Sequence, residues 1–348
     1  MLKKPQNSIR KLPAIQRQVL DVSTLDLVTT GRLHAEQPLP LLVQPTMEGI
    51  NLNAWAETNR AWIETELGRH GGILFRGFDV PEVTAFEQFI DAISDGALRY
   101  QERSSPRSQV SGNIYTSTDH PPSESIFLHN EQSYNLTFPL RILFYCVTAA
   151  QKGGETPIAS SRNMYQRIPQ DIRRKFADKG YMYVRNFGSG FGLSWQETFQ
   201  TTDKAVVETY CRANDITFEW HEGDRLRTRQ VRRAIIRHPR TGDMVWFNHA
   251  TFFHVSTLRP DVQQMLFRVF REEELPNNTY YGDGSPIEPD VLDMLRHLYD
   301  EETVSFPWQK GDILLLDNVL TAHGRSPFVG PRKIVVGMAE PYKWADAS

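Results

Sequence analysis

The chain has 348 residues, of which 23% are charged, and a formal net charge of −3. That length can bury a sizeable core and permits either two domains or one β-barrel-type domain with insertions, while the small net charge supplies no global field for nucleic acid or an anionic membrane. The only two cysteines, Cys146 and Cys211, give neither a disulfide framework nor a zinc-ligand spacing, which suits a reducing compartment. The basic start Met1-Leu2-Lys3-Lys4-Pro5 lacks the apolar segment of a signal peptide, and no apolar run approaches a membrane span. The expectation is a soluble cytoplasmic protein with no nucleic-acid or membrane partner.

Residues 1–45 hold scattered prolines and little periodicity, and read as an arm wrapping a core. Trp55, Ala56, Trp62, Ile63 and Leu67 recur at roughly helical spacing as far as Arg69, and Gly71-Gly72 stops that helix. Residues 73–78 are a short apolar run closed by glycine, hence a buried strand, and a second helix runs from Val83 to about Ile93. Residues 101–124 are rich in Ser, Pro, Thr, Asn and Gly, and a loop that long inside a compact protein commonly serves a site. Strands follow at 126–129, 140–149 and 156–159, then a helix over 163–179 interrupted at Ile168-Pro169, and a strand at 181–186. Residues 195–212 read as mainly helical, 216–220 as extended and 232–238 as a strand ended by Pro239. A strand at 245–247, helices at 261–273 and 291–299, and closing strands at 313–317 and 333–339 complete the chain. Many short strands, helices at the start and a helical insertion at about 160–305 fit a mainly β jelly roll (a double-stranded β-helix) better than a doubly wound sheet. We expect one domain over residues 1–348.

The chemistry is carried by Phe127-Leu128-His129-Asn130-Glu131 and a distant histidine, His323. Residues i and i+2 of a strand project to the same side, so His129 and Glu131 can address one ion. Two imidazoles and one carboxylate can take one face of an octahedral ion and leave three positions open, as in non-heme Fe(II) oxygenases. The tripeptide alone has low specificity: His34-Ala35-Glu36 shows the same pattern in the Pro-rich arm and reads as surface. An oxygenase using 2-oxoglutarate also needs a cation for the distal carboxylate. Arg332 has the planar, permanently charged fork for it and lies where the chain turns into its last strand. Lys333 is its rival, since neighbours on a strand face opposite sides, and Arg325 is a third basic group near the metal. Thr156, in Gly153-Gly154-Glu155-Thr156, offers a hydroxyl.

Over most of residues 70–345 the chain resembles the taurine dioxygenase-like (TauD/TfdA) family of Fe(II)/2-oxoglutarate dioxygenases. Leu128–Glu131 is similar to its His-x-Asp/Glu motif, Gly153–Thr156 to its Gly-Gly-x-Thr segment, Asp317–Arg325 to the stretch with its distal histidine, and Pro331-Arg332-Lys333 to its basic clamp. The resemblance implies Fe(II) on His129, Glu131 and His323, with 2-oxoglutarate and O2 as cosubstrates. It further implies 2-oxoglutarate contacts from Thr156 and the clamp, and release of succinate and CO2. Two departures shape the expected substrate. Glu131 stands where aspartate is commoner, as in the clavaminate synthase branch that acts on amino acids, and a small residue there would have suggested a halogenase. Taurine dioxygenases carry a second arginine four residues past the clamp, where this chain has Val336 or Gly337, which argues against taurine. The surroundings of His129 with Tyr134, Trp195-Gln196-Glu197 and Val245–Asn248 are most like members encoded beside nonribosomal peptide assembly lines, which hydroxylate amino acids, sometimes on a carrier protein. The expected substrate is thus a free or carrier-bound amino acid in natural-product biosynthesis. The alternatives are catabolism of a small carboxylate or sulfonate, and a non-catalytic cupin-like binding protein.

Asn113, on the loop before the triad, and Trp246 and Asn248 are candidate substrate contacts, each with a structural alternative as turn or core residue. Phe252 and Phe253 read as core, and His249 and His254 as packing or substrate contacts, since neither helical nor strand spacing puts both on one face. The basic residues Arg225, Arg227, Arg229, Arg232, Arg233, Arg237 and Arg240 read as a solvated face, or as a lid or dock for an anionic substrate or a carrier protein's phosphopantetheine arm. Oligomeric state is not legible.

Overall fold

The computed structural model describes residues 24–346, apart from residues 100, 101, 103, 106 and 189. Residues 1–23 of the expected arm lie outside the described part, but residues 28–45 do not wrap the core. Strands Val28–His34 and Gln37–Pro45 form a hairpin, and Leu41–Val43 pairs in parallel with Ile73–Phe75, so this segment extends the main sheet. His34, Ala35 and Glu36 sit exposed at its turn.

The main sheet has eight strands, in the order Val28–His34, Gln37–Pro45, Gly72–Phe75, Ile313–Asp317, Thr137–Thr148, Lys333–Lys343, Ile114–Thr116 and Gln109–Ser111. Its central strands are covered on both faces, which is why they read as unbroken apolar runs. On one face Leu143, Tyr145, Ile313, Leu315 and Val335 pack with Trp55, Phe86, Phe89 and Ile90 from helices Leu52–Thr58 and Val83–Ile93. Ile142, Phe144, Leu314, Leu316, Val336 and Met338 alternate with them and face the inside of the roll. A three-stranded sheet of Ile126–His129, Thr321–Arg325 and Ile158–Ser160 lies against that face, with Phe144 5.1 Å from His323, ring centre to ring centre.

The single helix expected over 52–69 is two, Leu52–Thr58 and Arg60–His70, broken at Asn59, whose side chain donates to Trp55 O (2.8 Å). Gly71, at φ 78°, ends the second in the left-handed conformation that glycine adopts without strain. The insertion carries the expected helices and adds an antiparallel sheet, Ile216–His221, Arg225–Arg232, Tyr181–Phe187 and Asn277–Tyr281. Two of its strands escape a hydrophobicity reading. In Arg225–Arg232 the buried positions are Leu226, Thr228, Gln230 and Arg232, so polar residues occupy the inner face and the alternation is masked. Residues 101–124 likewise contain two short strands, Gln109–Ser111 and Ile114–Thr116, which join the edge of the main sheet. No helix among the described residues is long and apolar enough to cross a membrane.

Candidate active site

His129 and His323 are register partners on adjacent antiparallel strands, so their side chains leave the three-stranded sheet on the same face. Glu131 follows in the turn after Ile126–His129, and its Oε2 lies 3.9 Å from His129 Nε2 and 3.8 Å from His323 Nε2. One ligand atom from each of the three falls within 4.8 Å of the others. Bonds of about 2.1 Å to an octahedral ion put ligand atoms roughly 3 Å apart along one face, so a small rotation of these side chains seats the ion. The side chains are 12%, 2% and 5% exposed for His129, Glu131 and His323, which leaves a path to the metal face from one side. Nδ1 of His129 lies 2.9 Å from Phe127 O; donating there, it turns the Nε2 lone pair toward the shared point. Burial, above all, lowers the pKa of His129 and holds that of His323 well below the ordinary histidine value, so both rings are neutral and able to ligate at neutral pH. This donor set fits Fe(II).

Three buried side chains that a motif reading does not single out hold Glu131. Asn318 accepts from Glu131 N (2.7 Å) and donates to Glu131 O (2.9 Å) and Pro139 O (2.8 Å). Asn130 donates to Asn318 O (2.8 Å) and Ser161 Oγ (3.0 Å), and Arg107 donates to Glu131 Oε2 (2.8 Å). Arg107 lies in the long polar loop, whose Ser104, Ser105, Ser117, Thr118 and His120 also line the cavity beside the triad. That loop was the one available signal for Arg107.

The cavity is about 520 Å³ and takes in His129, His323, Thr156, Arg325, Arg332 and Phe144. Arg332 enters it because Gly154, at φ 76°, has no side chain: a Cβ there would lie 2.9 Å from Arg332 Cδ. Its Nε donates to Gly154 O (2.8 Å) and its Nη1 to Ser117 Oγ (3.3 Å), and burial lowers its pKa to about 10, which still leaves it charged at neutral pH. Lys333 is exposed and lies outside the cavity lining, so the strand register separates the two rivals. Arg325 spends its guanidinium on carbonyls of the 120–124 segment, His120 O (2.9 Å), Pro121 O (2.6 Å) and Glu124 O, and thereby fastens that segment to the distal-histidine strand. Thr156 is buried and accepts from Trp308 Nε1 (3.2 Å).

A family model described as taurine catabolism dioxygenase TauD, TfdA family matches residues 36–338. The chain belongs to the TauD/TfdA family. It is accordingly a dioxygenase that uses Fe(II), 2-oxoglutarate and O2, and the triad is of the kind that chemistry needs. Among similar proteins, the dapdiamide synthesis protein DdaC of Enterobacter agglomerans is 42% identical over 80% of this chain and 85% of its own length. A clavaminate synthase-like protein of Arabidopsis thaliana is 28% identical over 88% of this chain and 95% of its own. The crystal structure of PvcB from Pseudomonas aeruginosa superposes with a TM-score of 0.55 over 93% of this chain and 95% of that one, at 15% identity, which is agreement in fold.

Other expected contacts fall elsewhere in this TauD/TfdA protein. Asn113 sits in the turn between Gln109–Ser111 and Ile114–Thr116, where its amide donates to Ala97 O (2.7 Å), away from the cavity. Trp246 is core, edge-on to Phe176 at 4.9 Å. Asn248 spends its amide on Ala234 O (2.9 Å) and Ala250 N (2.9 Å). By contrast Phe252 and Phe253, read as core, line the cavity, as does His254, while His249 packs behind His129 with its Nδ1 on Ser133 Oγ. None of the seven arginines of the basic run lines the cavity. Arg227 pairs with Asn186 and Glu273 O, Arg229 with Glu219, and Arg240 with Glu64 and Glu340, while Arg232 is buried on Tyr134 O and Asn214 O. The solvated-face reading holds for the strand's outer side.

Proposed function

We propose that this dioxygenase hydroxylates an amino-acid-derived molecule, free or held on a carrier protein, in natural-product biosynthesis in the cytoplasm. The reading of the reaction is carried by the buried His129–Glu131–His323 face opening on a cavity that also receives Arg332 and Thr156. The reading of the pathway is supported by the 42% identity to a dapdiamide synthesis protein. Against a sulfonate of the taurine type, neither position supplies a cation: Val336 is a buried apolar side chain inside the roll, and Gly337 faces the helical layer, where a Cβ would lie 2.4 Å from Ile90 Cδ1.

Iron and 2-oxoglutarate, once bound, supply the oxidising power from O2 and yield succinate and CO2 beside the hydroxylated product. The chain's own part is to place and protect. In this reading His129, Glu131 and His323 hold the ion, with Arg107 and Asn318 keeping the carboxylate in position. Arg332 pairs its fork with the distal carboxylate of 2-oxoglutarate, and Thr156 donates its hydroxyl to the same molecule. Phe127, Phe144 and Phe252 line the wall next to the triad and keep the reacting carbon dry.

The test is aerobic turnover of purified, Fe(II)-loaded protein with 2-oxoglutarate and amino acids offered free or loaded on a phosphopantetheinylated carrier protein. Succinate and a product 16 mass units heavier, both abolished in His323→Ala, are the expected outcome. If wild-type protein consumes no 2-oxoglutarate with any of them and His323→Ala binds iron equally well, the reading fails and a binding protein that merely retains the site takes its place.

A further inference from the structure

His254 follows directly on Phe252 and Phe253, and all three line the cavity. The ring centre of Phe252 lies 4.5 Å from that of His129, so this segment starts beside the triad. The His254 ring is held from behind, as the cap of the short helix Val255–Thr257. Its Nδ1 accepts from Ser256 N (3.1 Å) and lies 2.8 Å from Ser256 Oγ. Ser256 Oγ in turn accepts from Arg296 Nη1 (3.0 Å) on helix Pro289–Glu302. The next residue, Val255, donates its N–H to the buried Asn278 Oδ1 (3.1 Å) on strand Asn277–Tyr281.

These bonds fix the tautomer. A backbone N–H can only donate, so Nδ1 carries no proton and the imidazole is neutral, with its hydrogen on Nε2. Burial and the Arg296 charge act in the same direction and lower its pKa to about 4. Nε2 meets no donor or acceptor among the described residues and is not sealed within the packing. The apolar part of the lining, which includes Phe252, Phe253, Leu258 and Leu266, offers it no acceptor. Water can take this N–H while the cavity is empty. A ligand that covers it with carbon leaves the donor unpaired, which costs affinity.

We infer that the Nε2–H of His254 is a fixed hydrogen-bond donor to the substrate, which presents a carbonyl or carboxylate oxygen to it. The inference rests on the function proposed above and narrows it: the molecule oxidised at the triad has an acyl oxygen anchored on the segment beside Phe252. An ammonium group at this point would meet a donor and find no acceptor on the ring. A neutral imidazole holds its N–H proton too tightly to act as a general acid, so His254 binds and selects the substrate and takes no proton-transfer step.

NMR of the full-length protein tests this, with nitrogen-15 in its histidines and with 2-oxoglutarate and Zn(II), a diamagnetic stand-in for Fe(II), bound. Loss of signals in His254→Asn assigns the residue. Three probes share one ring: acetophenone carries a neutral carbonyl, benzoate a carboxylate and ethylbenzene neither. Without a probe, His254 is expected as the Nε2–H tautomer at neutral pH. Acetophenone or benzoate should move that proton downfield and ethylbenzene should not; whichever of the two oxygen-bearing probes acts at lower concentration names the kind of oxygen the site takes. Calorimetry on enzyme loaded with Fe(II) and 2-oxoglutarate under argon should show that probe binding about 10-fold more weakly to His254→Asn, the size of one hydrogen bond. Asparagine keeps a cap on Ser256 N but is too short to replace the Nε2–H. The inference is overturned if His254 carries its proton on Nδ1, if ethylbenzene moves the signal as far as the other two, if neither of those moves it at millimolar concentration, or if His254→Asn binds them as the wild type does. Aerobic turnover separates the two levels: absence of 2-oxoglutarate consumption with every substrate offered sinks the dioxygenase reading, whereas failure of the His254 tests leaves that reading intact.

Discussion

Asn318 grips Glu131 by its main chain, taking its N–H at 2.7 Å and giving a proton to its carbonyl at 2.9 Å, with both residues buried. A carboxylate ligand outside regular strand pairing owes its orientation to such outer bonds. We predict that Asn318→Ala weakens Fe(II) binding about 10- to 100-fold, the usual cost of losing a partner behind a metal ligand. Titration of the metal-free protein with Fe(II), alongside circular dichroism to verify the fold, measures it. Unchanged iron affinity in a folded variant would mean that the turn holds Glu131 unaided.

His323 should behave differently from its supports. Its ring is a proposed ligand, so His323→Ala should lose iron by more than about 100-fold, beyond the range for an outer partner. Anaerobic equilibrium dialysis gives the affinity.

At the 2-oxoglutarate end, Arg332→Gln should raise the KM for 2-oxoglutarate at least about 30-fold, because it strips a buried carboxylate of its partner. Lys333→Ala, on the exposed side of the same strand start, should shift it less than about twofold. A reversal of these two effects would move the clamp to Lys333.

His254 sets a pH dependence of stability. Burial first, and then Arg296, push its pKa down to about 4, and its Nδ1 accepts from Ser256 N (3.1 Å). The folded-state value lies below the ordinary 6.5 of the unfolded chain, so between pH 6.5 and 4 the unfolded chain binds the extra proton. Stability is therefore full above pH 6.5 and drains as pH falls toward 4, by about 2 kcal/mol from this group between pH 7 and pH 5. Urea unfolding at the two pH values should show a smaller difference in His254→Asn than in the wild type; an equal difference would assign the effect to other buried histidines.

What was legible follows from which residues carry their role in local pattern. His129 and Glu131 stand two residues apart, which pointed to one shared ion although the strand ends at His129 and Glu131 reaches the site from the following turn, and Ile313–Asp317 announces a strand covered on both sides, so triad and core could be read. The roles of Arg107 and Asn318 depend on contacts between distant parts of the chain, Arg107 lying 24 and Asn318 187 residues from Glu131, and no spacing rule reaches that far. Trp246 and Asn248 were singled out by a family-like stretch of sequence, but that stretch is buried in the core rather than on the cavity wall. Strands such as Arg225–Arg232 vanish from a hydrophobicity reading when their buried face is Thr228, Gln230 and Arg232.

The pairing of His129 with His323 across two strands makes iron uptake a gauge of strand alignment. A slip by one residue between those strands would send one imidazole to the opposite side of the sheet, leaving a protein with ordinary secondary structure and no seat for the ion. Metal occupancy measured on a refolded or mutated preparation therefore reports whether the two halves of the roll, separated in the chain by the whole insertion, have come together in step.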